Sequence, residues 1–290
     1  MLIGFLGFGE AARAFQESLA ARDSNLRFTA WDIKLQDPAT AQEMKTAMET
    51  RGVTIADPAG FSDVDWIISA VTADQSFLAL RSIQDHIVQG QVVIDINSVS
   101  PGRKRESASL VEAREAAYLD MAVMAPVHPR GHRTPVLIAG SVADKVILVL
   151  ERLEFDFRTM GDEPGQATAI KMVRSVFVKG LEAITVEALL AARASGCFEE
   201  ISTSLAKSFS GLGWPEFAAY EFERTMQHGK RRAAEMRESA ATVKALGLNG
   251  DLVDQIAETQ DLMGGIDISD LNKDSLEELV DRALSVRLKT

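Results

Sequence analysis

The stretch Gly7-Phe8-Gly9-Glu10-Ala11-Ala12 has residue types and spacing that suit phosphate chemistry. In a GxGxxA pattern the first glycine permits a tight turn. The second lets a ligand approach the backbone, and the small residue closes the contact between strand and helix. The free N–H groups and positive end of the following helix then face a pyrophosphate. Asp32 lies 25 residues after Gly7. A carboxylate there accepts the ribose hydroxyls of an adenosine and repels a 2′-phosphate, which favours NAD. Lys34 either offsets that charge and admits NADP, or is a solvated loop lysine. Val71 and Thr72 follow an apolar run where a parallel sheet opens toward ligand. Thr72 either touches the dinucleotide or ends the strand.

Further along, Lys171 is a charged residue on a largely apolar helical stretch. Such a lysine either titrates in a cleft, where burial lowers its pKa, or runs its stem to the surface. Ser98, just before Pro101, suits a binding loop or a turn cap. His128, Arg130, His132 and Arg133 cluster in one segment, as an anion site or as a solvated loop. The His128–His132 spacing resembles a metal pair, but no cysteine or carboxylate ligand is near, and no metal is expected. His228, Lys230, Arg231 and Arg232 form a second basic patch, on a helix.

The elements that would carry these residues alternate in the first half. Strands are expected at residues 2–6, 28–31, 53–56, 66–71, 92–96, 117–121 and 136–139. Helices are expected at 11–21, 41–50, 75–86 and 142–153. Continuous apolar strands separated by helices indicate a parallel sheet covered on both faces. After about Phe157 the pattern turns helical. Residues 167–194 contain no proline and a single glycine, Gly180, and read as the long buried helix of an all-α domain. Ser275 and Glu278 have capping-box spacing. The expected fold is therefore an α/β Rossmann-type doubly wound parallel sheet followed by an all-α C-terminal domain. The boundary falls at residues 162/163, giving a dinucleotide-binding domain over 1–162 and a substrate and dimerisation domain over 163–290.

Composition narrows the function classes. Of 290 residues, 46% are hydrophobic and 25% charged, ample for a buried core. The formal net charge of -11 disfavours nucleic acid and anionic membranes as partners. Cys197 is the single cysteine, which excludes an intramolecular disulfide. The apolar first residues lead straight into the glycine turn, so they read as a strand rather than a signal peptide. No run approaches a membrane span, and a cytoplasmic location is expected.

With these motifs together, the chain resembles the β-hydroxyacid dehydrogenase family, which includes 3-hydroxyisobutyrate and 6-phosphogluconate dehydrogenases. The carrying residues are Gly7 to Ala12, Asp95-Ile96-Asn97-Ser98-Val99-Ser100-Pro101 and Gly165 through Lys171. Lys171-Met172-Val173-Arg174-Ser175 and His228-Gly229-Lys230-Arg231-Arg232 resemble a 6-phosphogluconate dehydrogenase-like branch. The resemblance implies that Lys171 is the catalytic acid and base, with Ser175 where the family usually has asparagine. It implies that Ser98 contacts substrate; Arg174, Met124 and His128 are further candidate substrate contacts, read from the residues themselves. The backbone of Gly7, Phe8, Gly9, Glu10 and Ala11 would hold the dinucleotide together with Asp32, Lys34, Val71, Thr72, Asn97 and Lys230.

The chain departs from its relatives at Val123-Met124-Ala125-Pro126, where the family places a Ser-Gly-Gly loop that binds the substrate carboxylate. The expectation is an NAD-dependent dehydrogenase, with NADP still open, acting on a small or medium hydroxy acid, an anionic small molecule. The alternatives are an imine reductase of the same architecture, against which Lys171 argues, or a non-catalytic dinucleotide sensor. A homodimer built on the helical halves is expected, because the long helix is too apolar for one small domain to cover.

Overall fold

The computed structural model describes residues 1–142, 144–273 and 275–288. It divides into two compact units, Met1–Met172 and Val173–Thr290. In the first, strands β1 (Leu2–Leu6), β2 (Arg27–Trp31), β3 (Thr54–Ile55), β4 (Trp66–Ser69), β5 (Val92–Asp95), β6 (Ala117–Val123), β7 (Val136–Ala139) and β8 (Phe157–Thr159) form one sheet. Its order is β3-β2-β1-β4-β5-β6-β7-β8. The order reverses direction between β1 and β4, and at such a switch point the loops diverge and leave a crevice for ligand. Strands β1 to β6 are parallel, whereas β7 runs antiparallel to β6. The sheet is thus mostly, not wholly, parallel.

Helices α1 (Glu10–Arg22), α2 (Ala41–Glu49), α3 (Ser76–Ile83), α4 (Pro101–Glu112) and α5 (Asp144–Arg152) belong to this unit. One apolar cluster packs around Phe5, Phe15, Ile68 and Leu150, and a second around Leu6, Phe61, Ile67 and Tyr118. These are the two covered faces of the sheet. Alternate residues of one strand, such as Phe5 and Leu6 or Ile67 and Ile68, supply opposite faces.

Two elements are not visible in the sequence pattern. Helix α4 is polar along most of its length and begins at a proline, which reads as a breaker. Proline is nonetheless well suited to the first helical turn, where its missing N–H has no helical partner. Strand β8 has three residues, too few to show a period.

Helix α6 (Gln166–Ala194) runs across the division. The second unit continues with α7 (Phe198–Ser208), α8 (Glu216–Ala245), α9 (Asp251–Met263) and α10 (Leu276–Arg287). Leu189, Phe222, Met226, Leu279 and Val280 lie in its main core. A Cβ on Gly229 would stand 2.1 Å from the Gln260 carbonyl oxygen, so only glycine lets α8 and α9 approach so closely. The Ser275 hydroxyl caps α10 by accepting the Glu278 N–H. The Glu278 carboxylate reaches Asn272 N–H at 3.2 Å, so half of the expected capping box forms. Among the described residues, no helix is long and apolar enough to cross a membrane.

Candidate active site

Gly7 ends β1 with φ +85°, and its N–H donates to the Trp31 carbonyl at 2.8 Å. A Cβ here would collide with Val71 Cγ1 at 2.5 Å and the Ala70 carbonyl at 2.6 Å, so glycine is required at the switch point. Gly9 is different. A Cβ on it would meet nothing within 4 Å. Its lack of a side chain serves no internal packing and leaves the backbone open to a ligand. Gly9 is also the N-cap of α1 and offers no side-chain cap, so the helix end faces outward uncapped by its own N-cap residue.

The Asp32 carboxylate accepts from Phe8 N–H at 2.8 Å through Oδ2 and from Lys34 N–H at 2.9 Å through Oδ1. Each oxygen keeps a lone pair. Asp32 is therefore pinned at the end of β2 and can still accept two hydroxyls. The Phe8 ring is fully buried against Phe5, so Phe8 contributes only backbone to the loop. Glu10, Lys34 and Thr72 are exposed, and Ala11 is half-buried. These features fit a dinucleotide bound through its pyrophosphate and ribose.

A continuous line of contacts leads from this loop to the predicted catalytic lysine. Gly7 packs on Val71. Val71 N–H donates to Asn97 Oδ1 at 2.7 Å. Asn97 is buried, and its Nδ2 donates to Ser69 Oγ at 2.9 Å and Ser76 Oγ at 3.1 Å. Both side-chain donor hydrogens of Asn97 are thus committed within the protein, and it acts by holding the loops after β4 and β5 together. The next residue is Ser98, whose Oγ accepts from Lys171 Nζ at 2.6 Å. Ser98 and Lys171, 73 residues apart, are brought into one half-buried pair.

Beneath this pair lies a buried group that the sequence reading missed. Lys104 of α4 is fully buried. Its Nζ donates to the Asp95 carbonyl at 2.6 Å and lies 3.0 Å from Asp95 Oδ1 and 3.3 Å from Asp120 Oδ1. Tyr118 donates its hydroxyl to Asp95 Oδ2 at 2.6 Å. Burial and the Asp95 carboxylate push the Tyr118 phenol well above its usual range, so it remains a donor. The available signal was two acids, one closing the apolar run Val92–Asp95 and one inside Ala117–Val123. Neighbouring strands would bring such acids together.

The remaining candidates separate. His128 and Arg130 are exposed. Of the four potential cations from His128 to Arg133, His132 turns away from its exposed neighbours. His132 is buried, with Nδ1 2.7 Å from Ser18 Oγ and Nε2 2.7 Å from the Leu153 carbonyl. A carbonyl can only accept, so Nε2 donates. Burial lowers the His132 pKa, favouring the neutral ring. Arg133 pairs with Glu154 at 3.6 Å. In the second unit Arg174 is exposed and Ser175 buried. Lys230 is largely exposed and lies 2.9 Å from Asp261 Oδ1, while Arg232 is buried against Glu182. Among the described residues, no cluster of three or more His, Cys, Asp or Glu could hold a metal.

Residues 2–98 match the family described as NADP oxidoreductase, coenzyme F420-dependent, and residues 192–263 match a domain of unknown function, DUF1932. A conserved hypothetical protein from Sinorhizobium meliloti 1021 is 33% identical, over 99% of this chain and 96% of its own, with a TM-score of 0.74. The conserved protein MTH1747, described as structurally similar to 3-hydroxyacid dehydrogenases, is 26% identical. That match covers 100% of this chain and 99% of its own, with a TM-score of 0.64.

The chain belongs to the β-hydroxyacid dehydrogenase-like family.

As a member, it is a dinucleotide-dependent oxidoreductase. The 3-hydroxyisobutyrate dehydrogenase of Mycobacterium tuberculosis shares the fold at 16% identity, covering 96% of this chain and 98% of its own, with a TM-score of 0.70. Imine reductases share the fold as well. This β-hydroxyacid dehydrogenase-like protein has its own arrangement at Met124. The Met124 N–H donates to the Pro135 carbonyl at 3.0 Å, and its side chain packs on Ala122, Leu137, Ala139 and Ala167. Pro126 has no N–H. The backbone here thus lacks two of the donors that an anion cradle would use.

Proposed function

We propose that the protein is an NAD-preferring dehydrogenase, or reductase, acting at the CH–OH carbon of a small or medium hydroxy acid or its oxo partner. The observation that carries this reading is the Lys171–Ser98 pair, linked through Asn97 and Val71 to Gly7. A bound nicotinamide supplies the hydride acceptor or donor. In oxidation, the Lys171 amine takes the proton of the substrate hydroxyl; in reduction, its ammonium returns that proton to the nascent alkoxide. Ser98 orients Nζ by accepting one of its hydrogens, and its own hydroxyl hydrogen remains available to a substrate oxygen. Ser175 and Arg174 follow on α6, as candidates for holding Lys171 and for meeting a carboxylate. Met124 and His128 are the candidates for shaping the substrate's far end. Lys230 is a candidate for a further cofactor contact.

The alternative, reduction of imines on the same fold, has less support because Lys171 supplies a proton carrier suited to an oxygen. The protein is read as a cytoplasmic homodimer. Phe177 and Ile184 of α6, 74% and 66% exposed, leave apolar surface for a second copy to cover.

The test is nicotinamide absorbance over a panel of hydroxy acids, oxo acids and cyclic imines, with NAD and NADP in turn. Turnover of hydroxy acids with NAD is expected; turnover of imines alone would overturn the reading. In Asp32→Asn, loss of the charge should shift the NAD-to-NADP preference about tenfold toward NADP, near 1.4 kcal/mol. An unchanged ratio would remove Asp32 from cofactor selection.

A further inference from the structure

Asp95 and Asp120 stand opposite each other at matched register on β5 and β6. Both are buried, and two carboxylates so placed need a cation between them. Lys104 supplies it. The same residues also grip the backbone on either side of the Lys171–Ser98 pair. Asp120 Oδ2 accepts Gly165 N–H at 3.1 Å and Thr168 N–H at 3.0 Å, capping the start of α6. Thr168 donates its hydroxyl to the Val99 carbonyl at 2.9 Å, one residue past Ser98. Lys104 holds the root of that loop through the Asp95 carbonyl. Gly165, at φ +99°, lets α6 begin against Pro101, where a Cβ would stand 2.9 Å from the Pro101 carbonyl.

We infer that Asp120, Lys104 and Thr168 are positioning residues that set the Lys171–Ser98 pair, by joining the first turn of α6 to the loop after β5. The inference rests on the reading of Lys171 as the proton carrier. Two of these ties end on Thr168, three residues before Lys171, so buried polar contacts as well as the apolar packing of the helix set the lysine's place.

The test is competitive acetylation of Lys171 by acetic anhydride, followed by peptide mass spectrometry across the neutral-to-alkaline range, on protein without dinucleotide. Asp120→Asn keeps an oxygen to accept the helix N–H groups and removes the charge. At one fixed alkaline pH its Lys171 labelling rate should rise about twofold or more, because a loosened helix start releases the amine from Ser98. Thr168→Val removes the tie to Val99, and turnover should fall about tenfold or more, because small misplacements of a reacting group cost that much. Thr168→Ser should restore it. NADH affinity, by fluorescence titration, should stay within about twofold of wild type throughout. A wild-type labelling rate in folded Asp120→Asn would overturn the inference. So would undiminished turnover in Thr168→Val, or loss of NADH affinity in step with turnover. If Asp120→Asn does not fold, the Thr168 pair decides. Undiminished turnover in Lys171→Ala would sink the catalytic reading itself, a result distinct from all of these.

Discussion

In the nucleotide-binding unit, Lys104 sits between Asp95 and Asp120, and the cluster is stitched to Tyr118 and to the backbone of α6. In the helical unit, Arg232 and Gln260 converge on the buried Glu182, with Glu221 beside them. There Glu221 Oε2, Gln260 Oε1 and Arg232 Nε have no hydrogen-bond partner among the described residues. In the first cluster only Asp120 Oδ1 lacks a hydrogen bond, and it meets Lys104 by charge. A buried ionic group that holds backbone on several sides fixes geometry. One that holds mainly other side chains stores a cost that pH can release.

Three perturbations sharpen or break that contrast. The largest is Glu182→Ala, which strands the Arg232 guanidinium in the helical core. It should cost about 3–5 kcal/mol in a denaturant titration. A loss under about 1 kcal/mol would show that Arg232 finds water instead. Next is Glu221, whose carboxyl burial and the Glu182 charge push up to about 7. The folded form binds its proton more tightly than the unfolded chain, so the contribution of Glu221 to stability is fully present below the unfolded value and is lost as pH rises toward 7. The decline should amount to about 1–2 kcal/mol after screening by water, and Glu221→Gln should abolish it. An unaltered pH dependence in that variant would assign the slope elsewhere. The smallest effect belongs to His132 in the first unit and has the opposite sign. Its pKa is lowered by burial, so its contribution is present above the unfolded value and lost as pH falls through the folded one. Thermal melts of wild type and His132→Gln at mildly acidic pH should converge; a constant gap would deny His132 that role.

Much of the first unit was legible because its signals are local. Gly7, Gly9 and Asp32 carry their geometry in their residue types and spacing, and the apolar strands mark their own positions. Helix α4 was illegible because its polar sequence shows no apolar stripe, and Pro101 looks like a stop. Lys104 was hidden with it, since its burial follows from two strands that pair only in the fold. The Lys171–Ser98 pair was readable through family resemblance alone, because its partners are far apart in sequence. In the segment His128 to Arg133, burial separates His132 from its exposed neighbours, which residue types alone do not show. His132 turned inward, where Gly131 packs so tightly on α1 that a Cβ would strike the Ser18 side chain at 2.1 Å.

The most direct measurement is steady-state hydride transfer by Lys171→Ala beside the wild type, on whichever hydroxy acid the panel identifies, with NADH affinity measured in parallel. The account predicts that kcat falls by about 10²–10⁴ while NADH binds as before. Equal turnover in the two proteins would contradict it.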